Sequence, residues 1–226
     1  MTEAPAILLA DNHVLALAKP AGMPSVPDAS GDESLLDWAK AWIKREHDKP
    51  GAVFLGVVHR LDRPVSGLVL FARTSKAAER LSAQFRERAI EKHYLGVVER
   101  RPDADAGCVE EWLQKDEARN VVRAFASRRA DALLARTHWR WLAGVGPALV
   151  ELRPETGRPH QLRSACRSLG APLLGDLKYG AREPLPDASI ALHAARLVFE
   201  HPVRREPVAL EAAPPARPWW GLALTN

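Results

Sequence analysis

The feature that most constrains this chain is a charged interruption between two apolar runs. Residues 53–58 and 67–72 are each apolar enough for a buried strand. Between them stands His59-Arg60-Leu61-Asp62-Arg63-Pro64-Val65-Ser66-Gly67, in which five of nine residues are polar or charged. Loops pinned by rigid strands are where reactive residues concentrate. Asp62 lies between Arg60 and Arg63, and a cation close by would keep its carboxylate ionised. The plainer reading of the same residues is a turn in which Asp62 bonds its own backbone.

The rest of the chain reads as alternating strands and helices. Residues 7–10 and 14–18 form a hairpin about Asp11 and Asn12. Lys19-Pro20-Ala21-Gly22-Met23-Pro24 is an irregular loop, and Ser34 opens a helix with Asp37 at capping-box spacing. Leu35, Trp38, Ala39 and Trp42 give that helix one apolar face, and it ends near Lys49-Pro50-Gly51. Ser75 caps a second helix striped by Ala78, Leu81, Phe85 and Ala89. Residues 94–98 make a strand, 107–153 a series of short strands and turns, and 148–152 a further strand. Thr137, Trp139 and Trp141 alternate as strand residues do. Residues 157–170 read as a third helix with Pro159 in its first turn and Gly170 as its stop. Leu162, Cys166 and Leu169 share one side of it, and His160, Arg163 and Arg167 make a cationic face. Strands at 190–193, 197–200 and 208–211 close the chain.

A chain of 226 residues can bury a core without disulfides or structural metal, as one large domain or two small ones. There is no repeat, low-complexity stretch or clear linker, which favours one α+β domain built on a mixed sheet. The net charge of +4 is modest but uneven. Residues 60–101 hold ten Lys/Arg against five Asp/Glu, and residues 153–182 hold six against two. A surface raised by both would attract a phosphate backbone, although charge alone favours the plainer reading, solvated faces of ordinary helices. Cys108 and Cys166 are far apart and fit reduced thiols in a cytosolic setting. The N-terminal residues carry no signal-peptide pattern, and no apolar run reaches the ~18 residues of a membrane helix. The expectation is a soluble, cytoplasmic protein.

The segment HRLDRPVSGLVLFART resembles the signature of the RluA-type pseudouridine synthases, commonly H-R-L-D-x-x-T-S-G. The resemblance continues in order through Lys92-His93-Tyr94, Gly157-Arg158-Pro159-His160-Gln161-Leu162-Arg163, Leu174-Gly175-Asp176 with Tyr179-Gly180, and Leu192-His193-Ala194 with His201-Pro202. Lys19-Pro20-Ala21-Gly22 is similar to the family's N-terminal loop. A lone HRLD would be weak; these ordered blocks span residues 7–211 and override the turn-only reading of Asp62. Val65 departs from the family's usual Thr. The match begins within the first ten residues, so the S4-type RNA-binding domain of many family members is not expected.

What the resemblance implies is an α+β pseudouridine synthase fold. It has a mixed, largely antiparallel sheet, flanking helices and a central active-site cleft, with residues 1–226 forming one catalytic domain. The implied reaction isomerises uridine in tRNA or rRNA to pseudouridine without a cofactor or metal. The sequence carries no P-loop, dinucleotide glycine motif or metal-ligand cluster. Asp62 would be the family's essential aspartate, attacking the ribose or the base or removing a ribose proton. Arg163 matches the arginine that pairs with it, and Tyr94 the tyrosine that stacks on the flipped uracil and assists loss of the C5 proton. Arg60 matches the arginine that enters the space left by the extruded base. His160, Arg167, Arg63 and Lys92 are candidate phosphate contacts, while His59 and Gln161 bind RNA or support the loops. The expected partner is RNA, tRNA or rRNA, presenting a stem-loop, with no membrane and no obligate protein partner. Two rival readings are a non-catalytic RNA-binding module and a carboxylate-dependent glycosidic hydrolase. The first expects loss of Asp62, Tyr94 or Arg163; the second expects another carboxylate near Asp62.

Overall fold

The structure, a computed structural model, describes residues 3–48 and 50–222. In chain order the elements are β1 (Ala6–Ala10), β2 (Val14–Lys19), α1 (Leu35–Glu46), β3 (Gly56–Val57), β4 (Ser66–Ala72), α2 (Ser75–Arg86), β5 (Glu91–Val98) and β6 (Ala106–Asp116). Then follow β7 (Val121–Phe125), β8 (Leu133–Ala143), β9 (Ala148–Pro154), α3 (Gln161–Ser168), a 3₁₀ turn (Leu177–Tyr179), β10 (Leu192–Glu200), β11 (Pro207–Glu211) and α4 (Pro218–Leu222). The α+β organisation with a mixed, mostly antiparallel sheet and few helices is the one expected. The chain divides into two compact units. The first runs up to Glu91 and adds Ala195–Ala213; the second takes Lys92–Ala194 and the segment from Pro214.

In the first unit, β1 and β2 form the expected hairpin. Asp11 accepts from the backbone N–H of His13 and Val14 at 2.7 and 2.8 Å, which fixes the turn. β4 is buried along its whole length and pairs antiparallel with β2, from Val14 opposite Ala72 to Lys19 opposite Gly67. That register brings the end of β2 to the point where the charged interruption enters β4. α1 buries Leu35, Ala39 and Ile43, and Ser34 caps it by accepting from the Asp37 N–H at 3.2 Å. The helix ends at Glu46, before the punctuation expected at 49–51, of which Lys49 lies outside the described residues.

The second unit is an antiparallel series in the order β5-β9-β8-β6-β7, backed by α3. Leu113, Val122, Ala135 and Tyr179 form one buried cluster, and Val97, Ala191 and Trp219 another.

Several local expectations are corrected. The apolar run at 53–58 contributes only the two residues of β3, because it lies at the surface: Phe54 and Val57 are 51% and 42% exposed. Thr74, not Ser75, caps α2; it is extended and accepts from the Ala77 N–H, whereas Ser75 is already helical. The stripe of α2 buries Ala77 and Leu81, while Ala89 lies beyond its end and is exposed. The region 107–153 holds two long strands of eleven residues, β6 and β8, since polar residues on their open faces disguise a continuous ladder. α3 starts at Gln161, because His160 adopts a left-handed conformation (φ 51°) that a helix cannot include; Pro159 therefore precedes it. The strands expected at 190–193 and 197–200 are one, β10.

Candidate active site

Asp62 sits in a tight turn closed by the Val65 N–H donating to the Asp62 carbonyl at 3.0 Å, directly before buried β4. The residues on both sides of Asp62 are held by the 19–25 loop. On the upstream side, the Ser25 hydroxyl donates to the Leu61 carbonyl at 2.7 Å and accepts from the Leu61 N–H at 3.1 Å. On the downstream side, the Arg63 carbonyl accepts from the Gly22 N–H at 2.9 Å and from Lys19 Nζ at 3.1 Å. Gly22 has φ +85°, the conformation that lets the loop double back. Val65 is buried, so an apolar side chain suits the place where the family usually has Thr.

Lys19 is 1% exposed. Its ammonium donates to the carbonyls of Pro20 (3.0 Å), Met23 (2.7 Å) and Arg63, one acceptor for each N–H. Burial pushes its pKa down to about 7; the negative charge of Asp62 opposes that shift and the Arg63 cation adds to it. This is a site residue that sequence reasoning left without a role. The loop motif marked its position, but nothing in the sequence marks a lysine as buried.

The other residues proposed around Asp62 behave differently from one another. Arg60 is exposed. Arg63 is exposed and pairs with Asp32 and, at 4.0 Å, with Asp28. His59 supports the loop: Nε2 accepts from the Leu70 N–H at 2.9 Å and the ring stacks on Phe85 at 4.7 Å between centroids.

In the second unit, Tyr94 is half-buried on β5, opposite Leu152. It shares a strand face with Lys92, whose ammonium approaches the Thr156 carbonyl at 3.4 Å, and with Gly96, where a Cβ would meet Leu173 at 2.8 Å. Arg163 is not on a solvent-facing cationic side of α3, as expected; it is buried. Its Nε and Nη2 donate to Asp176 Oδ2 and Oδ1, both at 2.7 Å, and its guanidinium lies 4.9 Å from the centre of the Tyr179 ring. Tyr179 also accepts from the Val122 N–H at 2.8 Å and lies 2.8 Å from His160 Nδ1. Tyr179 thus joins His160 and Arg163. Asp176 and Tyr179 belong to motif blocks singled out in the sequence without a function; in the structure both contact Arg163.

Of the two readings of Gln161, RNA contact or loop support, its buried contacts are those of a support. Its Oε1 accepts from Thr156 Oγ1 (2.7 Å) and the Arg158 N–H (3.0 Å), and its Nε2 donates to the Arg136 carbonyl and Thr137 Oγ1, both at 2.9 Å. Those four bonds use the whole amide and staple the start of α3 to β8. Of the cations proposed along this segment, Arg167 is exposed, His160 half-buried and Arg163 buried. Behind the helix lies Glu111, buried and bound to Ser168 at 2.9 Å; burial raises its pKa, against hydrogen bonds from Ser164 and Ser168. Among the described residues no group of three His, Cys, Asp or Glu could hold a metal ion. No described helix is long and apolar enough to cross a membrane.

Residues 13–168 match the family model described as RNA pseudouridylate synthase. The chain is similar to the Dual-specificity RNA pseudouridine synthase RluA of Pasteurella multocida, at 34% identity over 90% of each chain. It is also similar to the Ribosomal large subunit pseudouridine synthase C of Vibrio cholerae, at 34% identity over 91% of this chain. The chain spans only 64% of that relative's length. Among solved structures, Human RNA Pseudouridylate Synthase Domain Containing 4 superposes with a TM-score of 0.78 at 26% identity, covering 93% of this chain and 89% of the other.

Proposed function

Because the chain belongs to the RluA-type RNA pseudouridine synthases, we propose that it isomerises specific uridines in tRNA or rRNA to pseudouridine, with Asp62 as nucleophile and no cofactor. The observation that carries the reading is the turn around Asp62, clamped through Leu61 and Arg63 by buried side chains. A carboxylate held by its neighbours loses little freedom on meeting a nucleotide, and such preorganisation is worth several kcal/mol of barrier.

In the reaction the N1–C1′ bond breaks and C5 bonds to C1′. The C5 proton leaves and N1 regains one, so no redox partner or group donor enters. Asp62 attacks the ribose or the base or removes a ribose proton, each route needing an ionised carboxylate. Tyr94 stacks on the flipped uracil and assists loss of the C5 proton. Arg163, its plane fixed by Asp176, supplies an oriented cation. Arg60 fills the gap left by the extruded base, offsetting a few kcal/mol of lost stacking. Lys92, His160 and Arg167 contact phosphates. The whole chain acts as one catalytic domain in the cytoplasm, on a uridine exposed in a stem-loop. The name of the Vibrio relative, a ribosomal large subunit pseudouridine synthase, supports rRNA as one substrate class.

The test is single-turnover pseudouridine formation on a hairpin RNA, with RNA affinity measured alongside. Asp62→Asn is expected to abolish product while leaving affinity nearly unchanged, since one carboxylate adds no attraction to a polyanion. Wild-type turnover in Asp62→Asn would refute the assignment. Release of free uracil would move the protein to the glycosidic hydrolases.

A further inference from the structure

Resting on that reading, we propose that Ser25 is a positioning residue for Asp62: its one hydroxyl holds both peptide groups of Leu61, the residue immediately before the nucleophile. Ser25 is buried, and its oxygen donates to the Leu61 carbonyl at 2.7 Å while accepting from the Leu61 N–H at 3.1 Å. A side chain bound to the carbonyl and the N–H of a single distant residue fixes that residue's orientation as well as its place. Leu61 itself is buried, so neither group has water as a substitute.

The anchor behind Ser25 is rigid. The first turn of a helix has N–H groups without partners inside the helix. In α1 two of them are used by this loop: the Leu35 N–H donates to the Pro24 carbonyl at 2.8 Å and the Leu36 N–H to the Ser25 carbonyl at 3.2 Å. α1 is fixed in turn by buried Leu35, Ala39 and Ile43. A continuous path therefore runs from the packed helix through the Ser25 backbone and hydroxyl to Leu61, and from there through one Cα to Asp62. Lys19 and Gly22 hold only the far side, at the Arg63 carbonyl. Without the Ser25 hydroxyl the residue directly before Asp62 loses both of its bonds to the 19–25 loop, and that loop holds the turn only at the Arg63 carbonyl.

The role predicts a loss in the chemical step, not in binding, because Ser25 is buried and its hydroxyl is committed to Leu61. Ser25→Ala should lower the single-turnover rate at saturating hairpin RNA about 10- to 100-fold, the scale of a misplacement near 1 Å, with RNA Kd within about twofold of wild type. Phe199→Leu, buried in β10 of the first unit and outside the path from α1 to Leu61, provides the control for mere loosening of that unit. It should lower the melting temperature as Ser25→Ala does, and keep the rate. A wild-type rate in Ser25→Ala, a loss confined to Kd, or an equal rate loss in Phe199→Leu would each overturn the inference. Asp62→Asn in the same assay separates the two levels. If Asp62→Asn is inactive and Ser25→Ala fully active, the positioning role alone fails. If Asp62→Asn is fully active, the underlying reading fails.

Discussion

Replacing Asp176 with Asn keeps the size of the side chain and removes the charge that holds Arg163. In the native protein both partners are buried, at 6% and 1% side-chain exposure, and joined by two parallel bonds of 2.7 Å. An Asn retains one carbonyl oxygen but turns its amide hydrogens toward a guanidinium that can only donate. Removing one partner of a buried pair costs about 3–5 kcal/mol, because the remaining charge stays in a poorly solvated place. With a urea m-value of roughly 2–3 kcal/mol/M, the unfolding midpoint should fall by about 1–2 M. Five of the seven tryptophans belong to the second unit, so tryptophan fluorescence reports the affected part. Turnover should fall along with stability, since the guanidinium loses its fixed plane. The double variant Arg163→Met/Asp176→Leu separates the two effects: it should regain most of the stability and none of the activity. An unfolding free energy for Asp176→Asn within about 1 kcal/mol of wild type would refute the argument that the pair is a buried, mutually dependent unit.

Gly175 precedes Asp176 with φ +81°, and a Cβ there would lie 2.6 Å from the Ser189 carbonyl oxygen. Gly175→Ala should therefore cost roughly 2–4 kcal/mol by urea denaturation, while Gly157→Ala, where nothing lies within 4 Å, should cost less than about 0.5 kcal/mol. Lys19 offers a pH test. Its pKa is near 7 in the folded protein against 10.5 for the ordinary side chain, so the unfolded chain binds more protons between those values. The penalty for burying the charge is full below about 7 and is relieved as pH rises; wild-type stability should thus gain at most about 1.4 kcal/mol per pH unit over this window relative to Lys19→Met. Parallel stability–pH curves for the two proteins would contradict it.

What the sequence made legible follows from what is local. Asp11 and Asn12 announced the hairpin, Ser34 announced α1, and the HRLD block was visible because charge between apolar runs is rare enough to notice. Asp62, Tyr94 and Arg163 were nominated from motif residues. The supporting contacts were not legible, because each joins segments distant in the chain: Ser25 to Leu61, Lys19 to Arg63, Gln161 to Thr137, Arg163 to Asp176. The start of α3 was misplaced for a local reason with a tertiary cause. His160 spends its backbone on a left-handed turn, and its ring contacts Tyr179 nineteen residues on. No periodicity signals such a turn.

The same contrast changes what the charge of this chain means. Counted in sequence, residues 60–101 and 153–182 are the basic stretches that would attract RNA. In the structure the cations within them do unlike things. Arg163 is neutralised inside the protein by Asp176, Arg63 is matched by Asp28 and Asp32 at the surface, and Arg153 faces Glu151 at 3.3 Å. Lys19, outside both stretches, is buried and spent on three carbonyls, that of Arg63 next to Asp62 among them. Arg60 and Arg167 are among those that remain exposed. A buried cation is costly to desolvate, and it is kept only where fixed acceptors surround it; the same acceptors make it a rigid strut. A surface cation keeps its hydration and its freedom, which suits a mobile phosphate. Local net charge is therefore a poor measure of RNA-binding surface. Lys19 holds the turn that carries Asp62, Asp176 holds Arg163, and the proposed attraction to RNA would fall to a smaller set of exposed arginines and lysines than the composition suggests.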